Sequence, residues 1–438
     1  MKSKNFQEVR DPIHVFIKYD CQERKLIDSI PFQRLRHIHQ LALTYLLYPG
    51  ATHKRFGHSL GVMELAGRVY DVITTPENIH EDIRHIIPTS TDELSYWRRV
   101  LRVAALCHDL GHLPFSHATE HSLIDGGWNH ERLTREFIQN SCIREKTDNM
   151  TPPLKTEHIV KLALGKKEAK DLPFSDWEAI LSEIITGDAF GVDRMDYLLR
   201  DSHHAGVLYG KFDHLRLIDT LRILPLSVEG STEPYLGIEK GGLHCAEALL
   251  MARYFMFKQL YLHPVRRIYD IHLRDFLSGW LTDGRFPNVI DKFVEWTDNK
   301  VFAGFVEVYG NKSHPSFNAA RRIVERNHFR LIYELNPKDR DMCPDATDKL
   351  FNSLSRYCGA ENVKKDTYVQ PGGLLNFPVV GYDNRISQST DLSETLARMP
   401  RAEMAFIFIS PEKRDKAEKW LDSERDRILD SSSKEIAV

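Results

Sequence analysis

A chain of 438 residues, 42% hydrophobic and 28% charged, is long enough for a large core plus a smaller appendage. A net charge of -3 sets up no field that would mark nucleic acid or a membrane surface as the main partner. No apolar run approaches the roughly 18 residues that span a bilayer. Six scattered cysteines without a Cys-x-x-Cys pair, behind a polar start, speak against a disulfide frame, a cysteine zinc site or a signal peptide. A soluble cytoplasmic protein is expected.

Histidine is the compositional oddity. There are 21, and nine of them lie between His53 and His130. Imidazole is the commonest metal ligand and the readiest proton carrier near neutral pH, so this stretch points to chemistry.

In chain order, residues 8–50 hold Asp11-Pro12-Ile13-His14, then Phe32, Leu35, Ile38 and Leu41 at helical spacing. Arg34 and Arg36 lie off that stripe and read as a solvated basic face. His58 stands near the start of an amphipathic helix continued by Leu65, Val69 and Val72, where a capping or core role and a ligand role are both open. Residues 76–99 read as a polar loop. The apolar run Leu101–Leu106 then ends in Cys107-His108-Asp109-Leu110-Gly111-His112. Helical neighbours point about 100° apart, so His108 and Asp109 share a target only if it sits in the crook between them.

His117, Glu120 and His121 can share one helical face, and His130-Glu131 opens another helix. Residues 141–175, charged and containing Pro152-Pro153, read as a surface excursion. Ile180, Leu181, Ile184 and Ile185 form a buried stripe. Beyond Gly187–Gly191 the helix restarts with Asp193, Tyr197 and Asp201 at i,i+4 steps and Arg194 beside them, either a functional face or an ion-pair ladder. A small β-hairpin is expected over 224–238 and a long aromatic-rich helical stretch over 243–281. Strands at Val379-Val380 and Phe406–Ile409 precede a charged helix at 411–429, and the last eight residues are expected to fray. The fold class is mainly α, with a helical core, a small β-hairpin and a smaller α+β C-terminal region.

Taken together, His58, His108, Asp109 and Asp193 are two nitrogens and two carboxylates from three helices. Such a mixed set with open positions suits one divalent Mn, Fe, Co or Ni ion, with Zn also compatible. The ion would acidify a bound water and polarise a phosphoryl oxygen. A second cluster, His112, His117, Glu120 and His130, contains a histidine–carboxylate pairing able to serve as general acid. Arg55 and Arg194 could clamp phosphate oxygens. The composite indicates metal-dependent phosphate ester hydrolysis.

The pattern His58 … His108-Asp109 … Asp193 resembles the HD-domain phosphohydrolases. Three longer strings resemble the deoxynucleoside triphosphate triphosphohydrolases within them: Arg55-Phe-Gly-His58-Ser-Leu-Gly-Val, His108-Asp-Leu-Gly-His112-x-Pro-Phe-Ser-His117 and Asp193-x-x-Asp-Tyr197-x-x-Arg-Asp201-x-His-His-x-Gly. That group comprises bacterial dGTPase-like enzymes and the catalytic core of the human SAM-and-HD-domain protein. Asp11-Pro-Ile-His14 and Phe32-Gln-Arg-Leu-Arg36 also match. The resemblance is strong over residues 8–280 and weak to about 420, and no SAM domain is expected.

The resemblance implies roles position by position. His58, His108, Asp109 and Asp193 match metal ligands. His130 with Glu120 matches the catalytic histidine and its carboxylate, with His112 and His117 beside the scissile phosphate. Arg55, Arg194, Tyr197 and Arg253 match triphosphate contacts; Gln40, Leu41, Asp201 and Tyr261 match the sugar pocket. Asp28, Gln33 and Arg36 match residues that read an activating guanine nucleotide at a subunit interface, and Arg216 one near a neighbouring nucleotide. Gln7, where a phosphate-bridging Lys is usual, and Lys258-Gln259, in place of a double arginine, depart from that pattern.

The implied reaction converts a dNTP to deoxynucleoside and tripolyphosphate, with GTP or a dNTP as activator, Mg accompanying bound nucleotides, and a homotetramer or larger oligomer as the assembly. Residues 1–285 would be the catalytic core and 286–438 an oligomerisation or regulatory lobe. The alternative is another HD-type phosphohydrolase or a nuclease, which would not need the sugar-pocket residues. Nucleic-acid binding is not indicated, because no dense Lys/Arg tract supports a groove.

Overall fold

Several helices in this protein start where the sequence supplies a side-chain acceptor for the first free amides. Ser90 caps Thr91–Cys107, Asn129 caps His130–Asn140, and Ser175 with Glu178 closes a capping box on Asp176–Thr186. The Val192–Ala205 helix ends in Gly206 at φ 73°, a left-handed C-cap that glycine adopts without strain. The computed structural model describes residues 6–120, 123, 128–228, 231–371 and 375–430, so the tail expected to fray lies outside the described residues.

The fold is mainly α, with three small sheets among the described residues. The chain forms two units, each assembled from separate segments. One comprises Met1–Met256, Arg285–Val301 and Gly372–Met399; the other comprises Phe257–Gly284, Phe302–Pro371 and Pro400–Val438.

In the first unit the helix Arg55–Ile73 is the central element. Fourteen of its 19 residues are buried, including Val62, Leu65 and Val69. The helices Thr91–Cys107, Asp176–Thr186 and Val192–Ala205 pack on it. Strands Phe6–Asp11 and Val15–Asp20 make an antiparallel pair in front of it in sequence. The expected hairpin is present as Leu221–Val228 and Ser231–Glu239, but it is half of a four-stranded sheet. Pro378–Val380 adds in parallel to the second hairpin strand, and Ile386–Gln388 follows antiparallel.

In the second unit, Glu403–Ile409 is the central strand of a three-stranded antiparallel sheet between Arg330–Glu334 and Val363–Val369. Its Ile407 and Ile409 join Leu350 and Leu354 of the Ala346–Cys358 helix and Leu421 of the Arg414–Asp430 helix in one apolar core.

Several expectations need correction. Phe32, Leu35, Ile38 and Leu41 are all buried, but not on one helix: Phe32 lies on Ile30–Arg34, Leu35 on the 3-10 turn that follows, Ile38 is extended and Leu41 precedes the turn Ala42–Leu46. Arg34 is not on a solvated face. It is buried, and its guanidinium donates to the carbonyls of Trp296 (2.9 Å) and His112 (2.8 Å). Residues 76–99 include 3-10 turns and the first two turns of the Thr91–Cys107 helix, which Ser90 starts.

The stretch 141–175 is not an excursion, since Thr156–Glu168 buries Ile159, Val160 and Leu162. Its charges misled because Lys161 is itself buried, between Glu157 (2.7 Å) and Glu178 (3.0 Å). The long helical stretch at 243–281 is two helices, Leu243–Met256 and Pro264–Trp280. A π-helical turn at Phe257–Tyr261 and a proline in the next first turn separate them.

Candidate metal centre

The centre forms where the Arg55–Ile73 helix, the end of Thr91–Cys107 and the first turn of Val192–Ala205 meet. His58, His108 and Asp193 each offer a ligand atom, and these atoms lie within 4.8 Å of one another. His58 Nε2 is 3.0 Å from Asp193 Oδ1, and His108 Nε2 is 3.6 Å from the same oxygen. Asp109 reaches both rings, at 3.6 Å from His58 and 3.3 Å from His108. In the arrangement described, it is also paired with Arg55 and lies 3.2 Å from His112 Nε2.

Both rings are aimed by bonds at their far nitrogens. His108 Nδ1 donates to the Ala105 carbonyl at 2.7 Å, which leaves the lone pair on Nε2. That Nε2 is buried and makes no hydrogen bond among the described residues, a costly state unless a cation takes the lone pair. His58 Nδ1 is held by Asp196 at 2.9 Å. Burial works against a charged His58. Yet hydrogen bonds to Asp193 and Asp196 and the charge of Asp109 outweigh it, raising the imidazole to about 10. The same contacts with His108 and His58 hold the Asp193 carboxyl far below its ordinary range despite burial. This is a nest of negative charge held around two imidazoles, and it fits a divalent ion.

Asp196 belongs to a buried network that sequence reasoning did not single out. It also takes His14 Nε2 at 2.6 Å and Arg200 at 2.8 and 2.9 Å, and Arg200 continues to Asp11 at 2.8 Å. The signals were present: Asp196 follows Asp193 by three residues on one helix, and Asp11 and His14 form one short string. Gly61 makes room for the network, because a Cβ there would stand 1.9 Å from Asp196 Oδ1.

The second cluster is brought beside the first by close backbone approach. A Cβ on Gly111 would lie 2.1 Å from the His130 carbonyl, so only glycine lets the His130–Asn140 helix dock here. Thr134 ties the contact, donating to the His108 carbonyl at 3.0 Å and accepting from the Gly111 amide at 3.0 Å. Nothing in the sequence marked Thr134. The result is a parallel stack of His112 on His130, with ring centroids 4.2 Å apart. Burial, then the charges of Arg55 and His130, push His112 well below its ordinary value, so it is neutral. Glu131 stands 3.1 Å from His130 Nδ1. The side chains of His117 and Glu120 lie outside the described residues.

The expected substrate contacts divide into groups. Arg55 is buried, with Nε donating to Ser116 Oγ at 2.7 Å. Arg194 donates to the carbonyls of Thr186 (2.9 Å) and Gly187 and to Asp188 (2.8 Å), while Arg253 donates to the Asp188 carbonyl at 2.9 Å. Tyr197 is raised by burial and lies in the fields of Arg253, Arg194, Asp193 and Asp201. Asp201 accepts from His53 at 2.7 Å, and the His53 carbonyl accepts from the Gln40 amide at 3.0 Å, next to buried Leu41. Tyr261 belongs to the second unit, where its ring meets Phe257 edge-on at 5.2 Å.

Gln33 bridges the Ile27 carbonyl (2.8 Å) and Arg36 (2.8 Å), Arg36 covers the Phe56 ring, and exposed Asp28 pairs with Arg24. Arg216 lies on a separate helix, His214–Asp219.

A helical core holding a histidine–aspartate cation site of this kind defines a metal-dependent hydrolase of the HD type. Residues 55–201 match the HD domain and residues 212–344 the HD associated region, and the chain belongs to this HD-domain family. It is similar to an uncharacterized protein of Methanocaldococcus jannaschii, at 37% identity over 79% of this chain and 65% of that one. It is also similar to the human deoxynucleoside triphosphate triphosphohydrolase SAMHD1, at 27% identity over 80% of this chain and 54% of that one. A crystal structure of a hypothetical protein from Aquifex aeolicus matches with a TM-score of 0.75 and 32% identity, covering 95% of this chain and 100% of that one. The chain spans 65% or less of the length of the curated relatives described here. No helix among the described residues is long and apolar enough to cross a membrane.

Proposed function

We propose that this HD-type phosphohydrolase is a dNTP triphosphohydrolase, releasing deoxynucleoside and tripolyphosphate. The observation that carries the reading is the row of side chains on Val192–Ala205. Asp193, Tyr197 and Asp201 follow one another at i,i+4, over about 12 Å of helix. The row runs from the cation site, past a phenol flanked by Arg194 and Arg253, to a buried carboxylate paired with His53. A substrate with a polyanionic tail and a hydroxyl-bearing sugar has the matching polarity. The similarity to the human deoxynucleoside triphosphate triphosphohydrolase supports the same choice.

In this reading His58, His108, Asp109 and Asp193 hold one divalent ion, Mn, Fe, Co, Ni or Zn. When bound, the ion would acidify water and polarise the phosphoryl group. His130, stacked on neutral His112 and beside Glu131, gives its proton to the departing 5′ oxygen, with Glu120 and His117 as further members of that cluster. Arg55, Arg194 and Arg253 neutralise phosphate oxygens and the Tyr197 hydroxyl donates to one; Arg194 exchanges its present carbonyl partners for them. Gln40, Leu41 and Asp201 read the sugar. Asp28, Gln33, Arg36 and Arg216 read an activating GTP or dNTP in a homotetramer or larger assembly.

The test is chromatography of products after incubation with Mn²⁺ and each dNTP, alone and with GTP added. Deoxynucleoside plus tripolyphosphate is expected, with GTP raising the rate. Release of dNMP or dNDP, or no turnover in any combination, overturns the reading in favour of a nuclease or another phosphohydrolase.

A further inference from the structure

Between His112 and His117 the backbone makes a turn that side chains resist: Phe115 has φ 59° and Ser116 φ 56°, two consecutive non-glycine residues in the left-handed region. Such a turn persists only where its surroundings hold it. Here the holder lies far away in sequence. Asp298, fully buried and outside the matched HD domain, accepts the Phe115 amide on Oδ1 at 2.8 Å. Its Oδ2 accepts from His39 twice, from the backbone amide at 2.7 Å and from ring Nδ1 at 2.6 Å. Lys54 stands 2.6 Å from His39 Nε2 and 2.9 Å from Nδ1. The His39 and Phe115 rings are parallel, with centroids 6.5 Å apart.

The turn in turn carries Ser116. Its Oγ accepts from Arg55 Nε at 2.7 Å and reaches back to the His39 carbonyl at 3.4 Å. Arg55 is the residue that pairs with Asp109. One carboxylate therefore fixes both walls of the slot, His39–Lys54 on one side and Phe115–Ser116 on the other, in which the Arg55 guanidinium is aimed.

We infer that Asp298 is a positioning residue of the hydrolytic centre, acting through Ser116 on Arg55. The inference deepens the proposed function and rests on it for the reaction assayed. The carboxylate is required as such, because every partner of Asp298 is a donor: an asparagine in its place must turn an NH2 group towards the Phe115 amide or towards His39.

The experiment compares Asp298→Asn, Ser116→Ala and the double variant as Mn²⁺-loaded full-length protein, following dGTP hydrolysis, metal content and amide exchange of peptide 110–118. Each single variant is expected to lower kcat by ~10- to 100-fold with metal content retained. The losses are expected not to multiply in the double variant, because both break the same relay. Fully multiplicative losses, or a wild-type kcat in either single variant, overturn the inference. Should Asp298→Asn fail to fold, Ser116→Ala alone still decides, with a wild-type kcat counting against the relay. The exchange measurement needs no substrate. Asp298→Asn is expected to lose protection in peptide 110–118 selectively, and unchanged protection there overturns the clamp even if the wild-type protein leaves dGTP intact. Failure of the dNTP reading is recognised separately, by a wild-type protein that releases no tripolyphosphate.

Discussion

Both units bury apolar side chains, and they differ in the charged network packed beside them. The first packs Asp196, Arg200, Asp11, His14 and His58 into one charged network with scarcely any exposure. The second packs Ile407, Ile409, Leu350, Leu354 and Leu421 around a three-stranded sheet. An apolar core gains from every area removed from water, and it tolerates exchange between side chains of like volume. A buried ionic network gains little net stability, but it fails steeply when one partner is lost. A fold keeps such a network where something must be held in a fixed charge field. The ionic network of the first unit should therefore respond to the chemistry of a substitution and the apolar cluster of the second to its volume.

The largest effect expected from that contrast is at the cation site. Asp193→Ala removes the oxygen shared by His58 and His108 and should abolish both metal retention and hydrolysis, read by elemental analysis and product chromatography. Full activity in this variant would remove the site assignment. His130→Ala comes next. It leaves the ligand set intact, so metal content and substrate binding should persist while turnover falls by ~10²- to 10⁴-fold. A wild-type rate would exclude His130 as the acid.

The same contrast explains what the sequence disclosed. Ligand types at helical spacing are local information, and the structure brings His58, His108 and Asp193 together as their positions suggested. The partners that aim those ligands are not local. Asp196 does not stand out on its helix, and its partners include Arg200 and His14, 182 residues earlier. Thr134 and Asp298 gave no signal at all, because their roles are hydrogen bonds to distant backbone. Charge also misled, both times towards solvent. Lys161 disguised a core helix, and Arg34 was read as solvated although its partners are backbone carbonyls. A charged residue announces burial only through a partner, and the partner is what one chain read in order does not display.

Two substitutions of one step each sharpen the comparison at smaller cost. Gly61→Ala adds a single methyl group, but it would lie 1.9 Å from Asp196 Oδ1 and 2.6 Å from Arg200 Nη2. Breaking that network should cost about 3–5 kcal/mol and lower metal content together with stability. Leu350→Ala removes apolar volume from the second core and should cost about 2–5 kcal/mol in denaturant titration, with metal content unchanged. Equal metal loss in both variants would mean that the two cores are not distinct in kind.

The smallest effect is a pH slope, and it comes from the apolar unit. His272 is buried there, and its Nε2 accepts from the Phe329 amide at 3.2 Å. Burial, then the charges of Arg322, Lys364 and His328, lower the ring from 6.5 to about 3. Above pH 6.5 the ring is neutral in both states and contributes no pH dependence. Below it the unfolded chain takes up a proton that the folded unit refuses, so stability falls with pH through the window from 6.5 towards 3. One such group gives a slope of about 1.4 kcal/mol per pH unit. His272→Gln keeps an acceptor and removes the titration. Its unfolding free energy should match wild type in pH dependence above pH 7 and fall one proton less steeply at pH 4–6. His328, lowered to about 4, supplies a second slope that this variant retains. An unchanged acid slope would place the sensitivity elsewhere, and the first unit's carboxylate network would then be the element to titrate.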